Sequence, residues 1–196
     1  MRNKPLRTYY LLVAGPRVYT DYEQFRRIMN QVCRDIYDQF ADRIVIVEGG
    51  AIGVDGMARQ YALDHQIKVI EMRADWKGLG KSAGIIRNRQ MNYYIAKQCE
   101  DDPENNKRMT LLFWNGTSRG TASNIDLAYQ CNNPTCVIFI KTGPDSRIID
   151  FKDKDPTMFY HVDCWNRSII SYTIHNIVGM SLQNTKNYNK LQLSKA

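Results

Sequence analysis

Ile44 to Ala58, IVIVEGGAIGVDGMA, decides how this chain folds. A run rich in β-branched residues, Ile44-Val45-Ile46-Val47, stops at Gly49-Gly50. Small or apolar residues then follow at helical spacing, at Val54, Met57, Ala58 and Ala62. The pattern is a buried strand, a glycine turn and the first turns of a helix. Glycines let a backbone approach a ligand closely, and a helix N-terminus offers unpaired N–H groups and the positive end of its dipole. The turn at Gly49, Gly50 and Ala51 therefore suits a phosphate or another anion. The same turn would also serve as a plain strand-to-helix connection.

The unit recurs on both sides of this stretch. Thr8 to Ala14 reads as a first strand ending at Gly15-Pro16-Arg17, followed by a helix from Tyr22 to Phe40 with Phe25, Ile28, Met29, Val32 and Ile36 on one face. Gln66 to Met72 is a third strand, and Ala74 to Gly84 a loop with three glycines. A helix from Ile85 to Cys99 begins with Arg87-Asn88-Arg89, and Glu100 to Arg108 is a polar surface loop. Met109 to Trp114 is a fourth strand, Ala122 to Gln130 a helix and Thr135 to Lys141 a fifth strand.

Strands this continuously apolar belong to a mainly parallel sheet covered on both faces. Right-handed crossovers make the arrangement doubly wound and Rossmann-like, an α/β fold of about five strands. Residues 1–143 are expected to form that domain, 144–182 an extension packed on it, and 183–196 a flexible tail. Within the extension, Arg147 to Phe151 and Met158 to Val162 read as short strands and Trp165 to Met180 as a last helix. In such sheets ligands bind beyond the carboxyl ends of the strands. Every glycine-bearing loop, after Ala14, Glu48, Met72 and Trp114, lies at that edge.

A chain of 196 residues, 43% hydrophobic and 24% charged, is long enough for a substantial core. No apolar run reaches the roughly 20 residues that span a bilayer, and MRNKPLRTYY leads into a strand rather than a signal-peptide core. The protein is expected in the cytoplasm, without a membrane partner. A net charge of +7 favours anionic ligands, although the basic residues form no dense tract. Five widely spaced cysteines without a CxxC pair argue against a disulfide scaffold, and with three histidines they make no metal-ligand pattern. No metal or cofactor is implied.

The sheet edge holds several candidates. Arg17 follows the tight Gly15-Pro16 turn and is placed for a phosphate or for a surface ion pair. Asp55, in a first helical turn, suits either a cap or a ribose hydroxyl. Asp75 and Trp76 open the third loop, where Lys77 and Lys81 add charge and the indole offers a surface for a base or simply packs. Arg87 and Asn88 lie at a helix start, where a cation needs an anionic ligand or an acidic neighbour in compensation. Gly116, Ser118, Gly120 and Thr121 form a second glycine junction whose hydroxyls fit phosphate, ribose or a helix cap. No Ser–His–Asp, Cys–His or paired-carboxylate arrangement can be assembled, so catalytic residues are not defined. Arg87 is the best single candidate.

Five of these elements occur in a familiar order: Ala14-Gly15-Pro16-Arg17, Gly49-Gly50-Ala51-x-Gly53-Val54-Asp55, Ala74-Asp75-Trp76, Gly80-Lys81-Ser82-Ala83-Gly84-x-x-Arg87-Asn88-x-x-Met91, and Trp114-Asn115-Gly116-x-Ser118-Arg119-Gly120-Thr121. Together, over roughly Thr8 to Lys141, they resemble the YspA-like branch of the SLOG superfamily. The resemblance implies a Rossmann-like fold that binds nucleotides or nucleotide-derived ligands. It also brings in the Lonely Guy phosphoribohydrolases, which cleave nucleoside monophosphates at the N-glycosidic bond, and the DNA-processing protein A family, which binds single-stranded DNA. Two positions depart from the pattern. Pro16 stands where a serine is usual, and Asn124 where the hydrolases carry a glutamate, and an amide cannot act as a general base.

The leading expectation is a sensor or sequestering protein for an adenine nucleotide, an ADP-ribose-like molecule or a signalling nucleotide. Phosphate would fall to Arg17, the Gly49–Ala51 turn, Arg87 and the Ser118–Thr121 turn, ribose to Asp55 or Asp75, and the base to Trp76. A nucleotide N-glycosidase and a single-stranded nucleic-acid binder are the alternatives. Relatives of this kind often associate, which leaves a homo-oligomer with a shared site open.

Overall fold

The structure is a computed structural model that describes residues 5–140, 158–163 and 168–173. Five strands run parallel: β1 (Thr8–Ala14), β2 (Arg43–Glu48), β3 (Lys68–Glu71), β4 (Asn106–Trp114) and β5 (Thr135–Phe139). Two more, β6 (Met158–Asp163) and β7 (Ser168–Thr173), add antiparallel at the β5 edge. The sheet order is β3-β2-β1-β4-β5-β6-β7. Winding runs outward from β1 through β2 to β3, then returns across to β4 and β5. The reversal leaves a crevice between the carboxyl ends of β1 and β4, the switch point where α/β folds bind ligands.

Alternation along β1 shows why its seven residues are all buried. Tyr9, Leu11 and Val13 pack with α1 (Tyr22–Gln39) and α2 (Val54–Asp64) on one face. Tyr10, Leu12 and Ala14 pack with α4 (Ala83–Asp101) and α5 (Arg119–Gln130) on the other. Period-two side chains feeding two separate cores produce an uninterrupted apolar run. Phe25 and Phe113 fill the first core with ring centroids 4.9 Å apart, and Met91, Ile95 and Ile125 fill the second.

Three expectations need correction. The segment expected as a loop from Ala74 to Gly84 contains a short helix, α3 (Trp76–Leu79), and a 3₁₀ turn (Gly80–Ser82). Asp75 starts α3 as its cap, its Oδ1 accepting from the Gly78 N–H at 2.9 Å. The polar loop after α4 is shorter than expected, because the β1 pairing continues to Thr8 and draws Asn106, Lys107 and Arg108 into β4. Finally, Ser168–Thr173 is a strand within the expected Trp165–Met180 helix. The run SIISYT is rich in β-branched and aromatic residues, and pairing with β6 outweighs a helical stripe. The proposed strand at 147–151 and the tail at 183–196 lie outside the described residues.

Candidate functional site

The glycine turn after β2 is closed on itself. Glu48, with no exposed surface, accepts from the Gly50 N–H at 2.7 Å through Oε2. Asp55, in the first turn of α2, accepts from the Ala51 N–H at 3.4 Å. The donors that a bare turn would offer to a phosphate therefore already meet two carboxylates of the chain. Glu48 also faces Arg59 (3.4 Å), which reaches on to Glu71 at 3.1 Å. Burial pushes the Glu48 carboxyl up to about 7 against the opposing pull of the Gly50 N–H and Arg59.

Arg87 supplies the compensation its helix-start position demands. Its Nη1 lies 3.1 Å from Asp55 Oδ2, and both residues are buried, 8% and 2% exposed. Burial raises the Asp55 pKa, with the Arg87 charge as the main opposing influence. The guanidinium lies against Gly49, where a Cβ would come within 1.2 Å of Nη1, so any larger residue there must displace Arg87. Gly53 is required for a different reason: its φ is +74°, and a Cβ would meet the Pro16 carbonyl oxygen at 2.4 Å. The adjacent Val54 N–H donates to the same Pro16 carbonyl at 3.4 Å, which ties the β1 and β2 loops side by side.

The junction after β4 is ordered by its own polar groups. Asn115 Oδ1 accepts from the N–H groups of Thr117 (3.1 Å) and Ser118 (2.9 Å), a side-chain turn that aims Ser118 at α5. Ser118 then caps α5, its Oγ accepting from the Thr121 N–H at 3.4 Å and from the Thr121 hydroxyl at 3.0 Å. Behind it, Asn92 donates to Asn124 Oδ1 at 2.6 Å and to the Asn88 carbonyl at 3.0 Å. Its own Oδ1 accepts from Thr110 (3.2 Å) and Asn133 (3.0 Å). With Oδ1 engaged, the end of Asn124 left for a ligand is its amide N–H₂.

These loops enclose an open cavity of about 500 Å³ at the switch point, a volume suited to a small ligand. Gly15, Arg17, Ala51, Asp55 and Trp76 line it, as do Arg87, Asn88, Ser118, Gly120 and Thr121. Gly49, Gly50, Asp75 and Gly116 do not. Gly49 sits behind Arg87, and the Asp75 carboxylate is occupied in capping α3. Lys81, Asn115 and Asn124 complete the polar lining, and Ala14, Pro16, Val18, Gly84 and Ile85 add apolar wall. Among these, Lys81 and Asn124 carried a signal in the sequence, as a lysine in a glycine loop and as the residue at the hydrolase glutamate position.

Buried lining residues form the floor and exposed ones the mouth. Asp55, Arg87, Asn88, Thr121 and Asn124 are floor, while Arg17, Lys81, Ile85 and the half-exposed Trp76 are mouth. The Arg17 guanidinium stands over the Trp76 ring, 5.4 Å from its centroid. Three cations less one carboxylate leave the lining with two positive charges. Among the described residues no cluster of His, Cys, Asp and Glu can hold a metal ion, and no helix is long and apolar enough to cross a membrane.

Known proteins bear on this arrangement at two points. A model of the YspA, cpYpsA-related SLOG family matches residues 10–78, which run from β1 through the glycine turn into α3. Gene 61 protein of Mycobacterium phage D29 is 31% identical over 94 residues, covering 45% of this chain and 72% of that protein. No solved structure matches.

Proposed function

We propose, from the premise that the chain belongs to the YspA, cpYpsA-related SLOG family, that it binds a phosphorylated nucleotide or nucleotide-derived molecule in the switch-point cavity, as a sensor or sequestering protein. Family membership supports a nucleotide-related ligand. The observation that carries the finer reading is the charge of the cavity, two positive charges in excess around about 500 Å³ of space at the carboxyl edge of the sheet. A phosphate monoester or a pyrophosphate diester brings the matching two negative charges. Arg17 and Lys81 pair with no carboxylate among the described residues and so remain available to such a group.

Binding without turnover fits the floor. Asp55 is the one carboxylate in the lining, and Arg87 holds it. Asn124 accepts from Asn92 and carries no charge with which to stabilise an oxocarbenium ion. Calorimetric titration of the purified protein with a panel of nucleoside mono- and diphosphates tests the proposal. At least one member should bind, and Lys81→Ala should weaken it about fivefold or more at low salt by removing one exposed charge. No binding by any member, or binding indifferent to both Lys81→Ala and Arg17→Ala, contradicts it.

A further inference from the structure

Floor and mouth differ in chemistry, and the difference selects how a ligand enters. At the mouth, Arg17 and Lys81 are exposed cations. On the floor, the one cation, Arg87, is already paired with Asp55, and the neighbouring glycine turn gives its N–H groups to Glu48 and Asp55. A phosphate pushed to the floor would face the buried Asp55 charge where little water can screen it. An ionised carboxylate only accepts hydrogen bonds, so its ligand partner must be a neutral donor. Asn124, also on the floor, offers the complementary donor N–H₂.

We propose that the cavity takes a ribose 5′-phosphate unit sugar-edge first, with the 2′- and 3′-hydroxyls on Asp55 and Asn124 and the phosphate on Arg17 and Lys81. This rests on the nucleotide reading above and narrows it. In a nucleoside 5′-phosphate the diol edge points away from both the base and the phosphate-bearing arm. Seating that edge on the floor therefore sends both of the others to the mouth, where the cations stand beside Trp76 and Ile85. The ligand class is a ribonucleotide with both hydroxyls free. With the 2′-hydroxyl on Asp55 and the 3′-hydroxyl on Asn124, a 2′-deoxyribonucleotide loses the donor to Asp55, and 2′,3′-cyclic or 3′-phosphorylated forms bring an anion beside it.

The experiment titrates the full chain with the four ribonucleoside 5′-monophosphates, their 2′-deoxy counterparts, the 3′-monophosphates and inorganic phosphate. The expected result is a preference of about tenfold or more for a 5′-ribonucleotide over its 2′-deoxy form, the effect of one hydrogen bond to a charged group. Arg17→Ala and Lys81→Ala should weaken both forms equally and leave that ratio intact. Asp55→Asn should bring the ratio towards one. Equal binding of ribo and deoxy forms to the unaltered protein, or tighter binding of a 3′-monophosphate, overturns the orientation while the nucleotide reading stands. That comparison needs no variant, so it decides the question even where Asp55→Asn fails to fold. Absence of binding by every nucleotide overturns the nucleotide reading and the orientation with it.

Discussion

At Gly49 a hydrogen atom stands where any other residue would place a carbon 1.2 Å from the Arg87 guanidinium. Arg87 cannot simply swing aside, because it neutralises Asp55 in surroundings that leave both almost fully buried. Its Nε already lacks a hydrogen-bond acceptor, so the pair holds together through one Nη1 contact and the packing on Gly49. Gly49→Ala should therefore cost about 3 kcal/mol of stability, the order seen when a buried ion pair is broken. Urea denaturation of the purified variant measures it, and a loss under about 0.5 kcal/mol would show that Arg87 has another place to go. The sequence marked Gly49, Asp55 and Arg87 as residues of one edge. It could not show that two of them pair across 32 positions, since nothing in a linear pattern states where a long side chain ends.

The elements around the cavity differ in how they are tied together. α1 meets the sheet through apolar contacts and α2 through apolar contacts and the Arg59 ion pairs to Glu48 and Glu71, whereas α4 and α5 share a buried amide network centred on Asn92. That one side chain joins α4, α5 and, through Thr110, β4, and through Asn133 it also holds the turn before β5. Asn92→Ala leaves several buried polar groups without partners at once and should destabilise by about 3 kcal/mol or more. A thermal melt gives the stability. A hydrogen-exchange measurement should place the gain in exchange at α4 and α5 rather than at α1, and uniform loosening would contradict the local tie. β1, β2 and β4 were legible in the sequence because burial on both faces writes a continuous apolar run. α3 and β7 were not. The first is too short for any periodicity and is set by the Asp75 cap, and the second has a helical stripe that strand pairing overrides.

For the whole molecule, the buried acids beside the glycine turn couple folding to pH. In the folded protein Glu48 titrates near 7, against 4.5 for an ordinary glutamate, because burial disfavours its charge more than Arg59 and the Gly50 N–H favour it. The folded state therefore holds a proton that the unfolded chain releases. The associated stability is fully present below about pH 4.5, declines as pH rises, and is lost above about pH 7. A shift of this size corresponds to roughly 3 kcal/mol. The raised Asp55 pKa acts in the same direction, so the unaltered protein alone does not separate the two. Glu48→Gln does, because the amide oxygen can still accept from the Gly50 N–H while the titration disappears. Denaturation at pH 5, 6, 7 and 8 should show stability falling with pH in the unaltered protein and a clearly flatter profile in the variant. Glu48→Gln should be the more stable of the two at pH 8, where the unaltered protein carries a buried charge. Parallel profiles would mean that Arg59 and the Gly50 N–H hold the Glu48 charge at no cost, and that the closed turn is indifferent to protons.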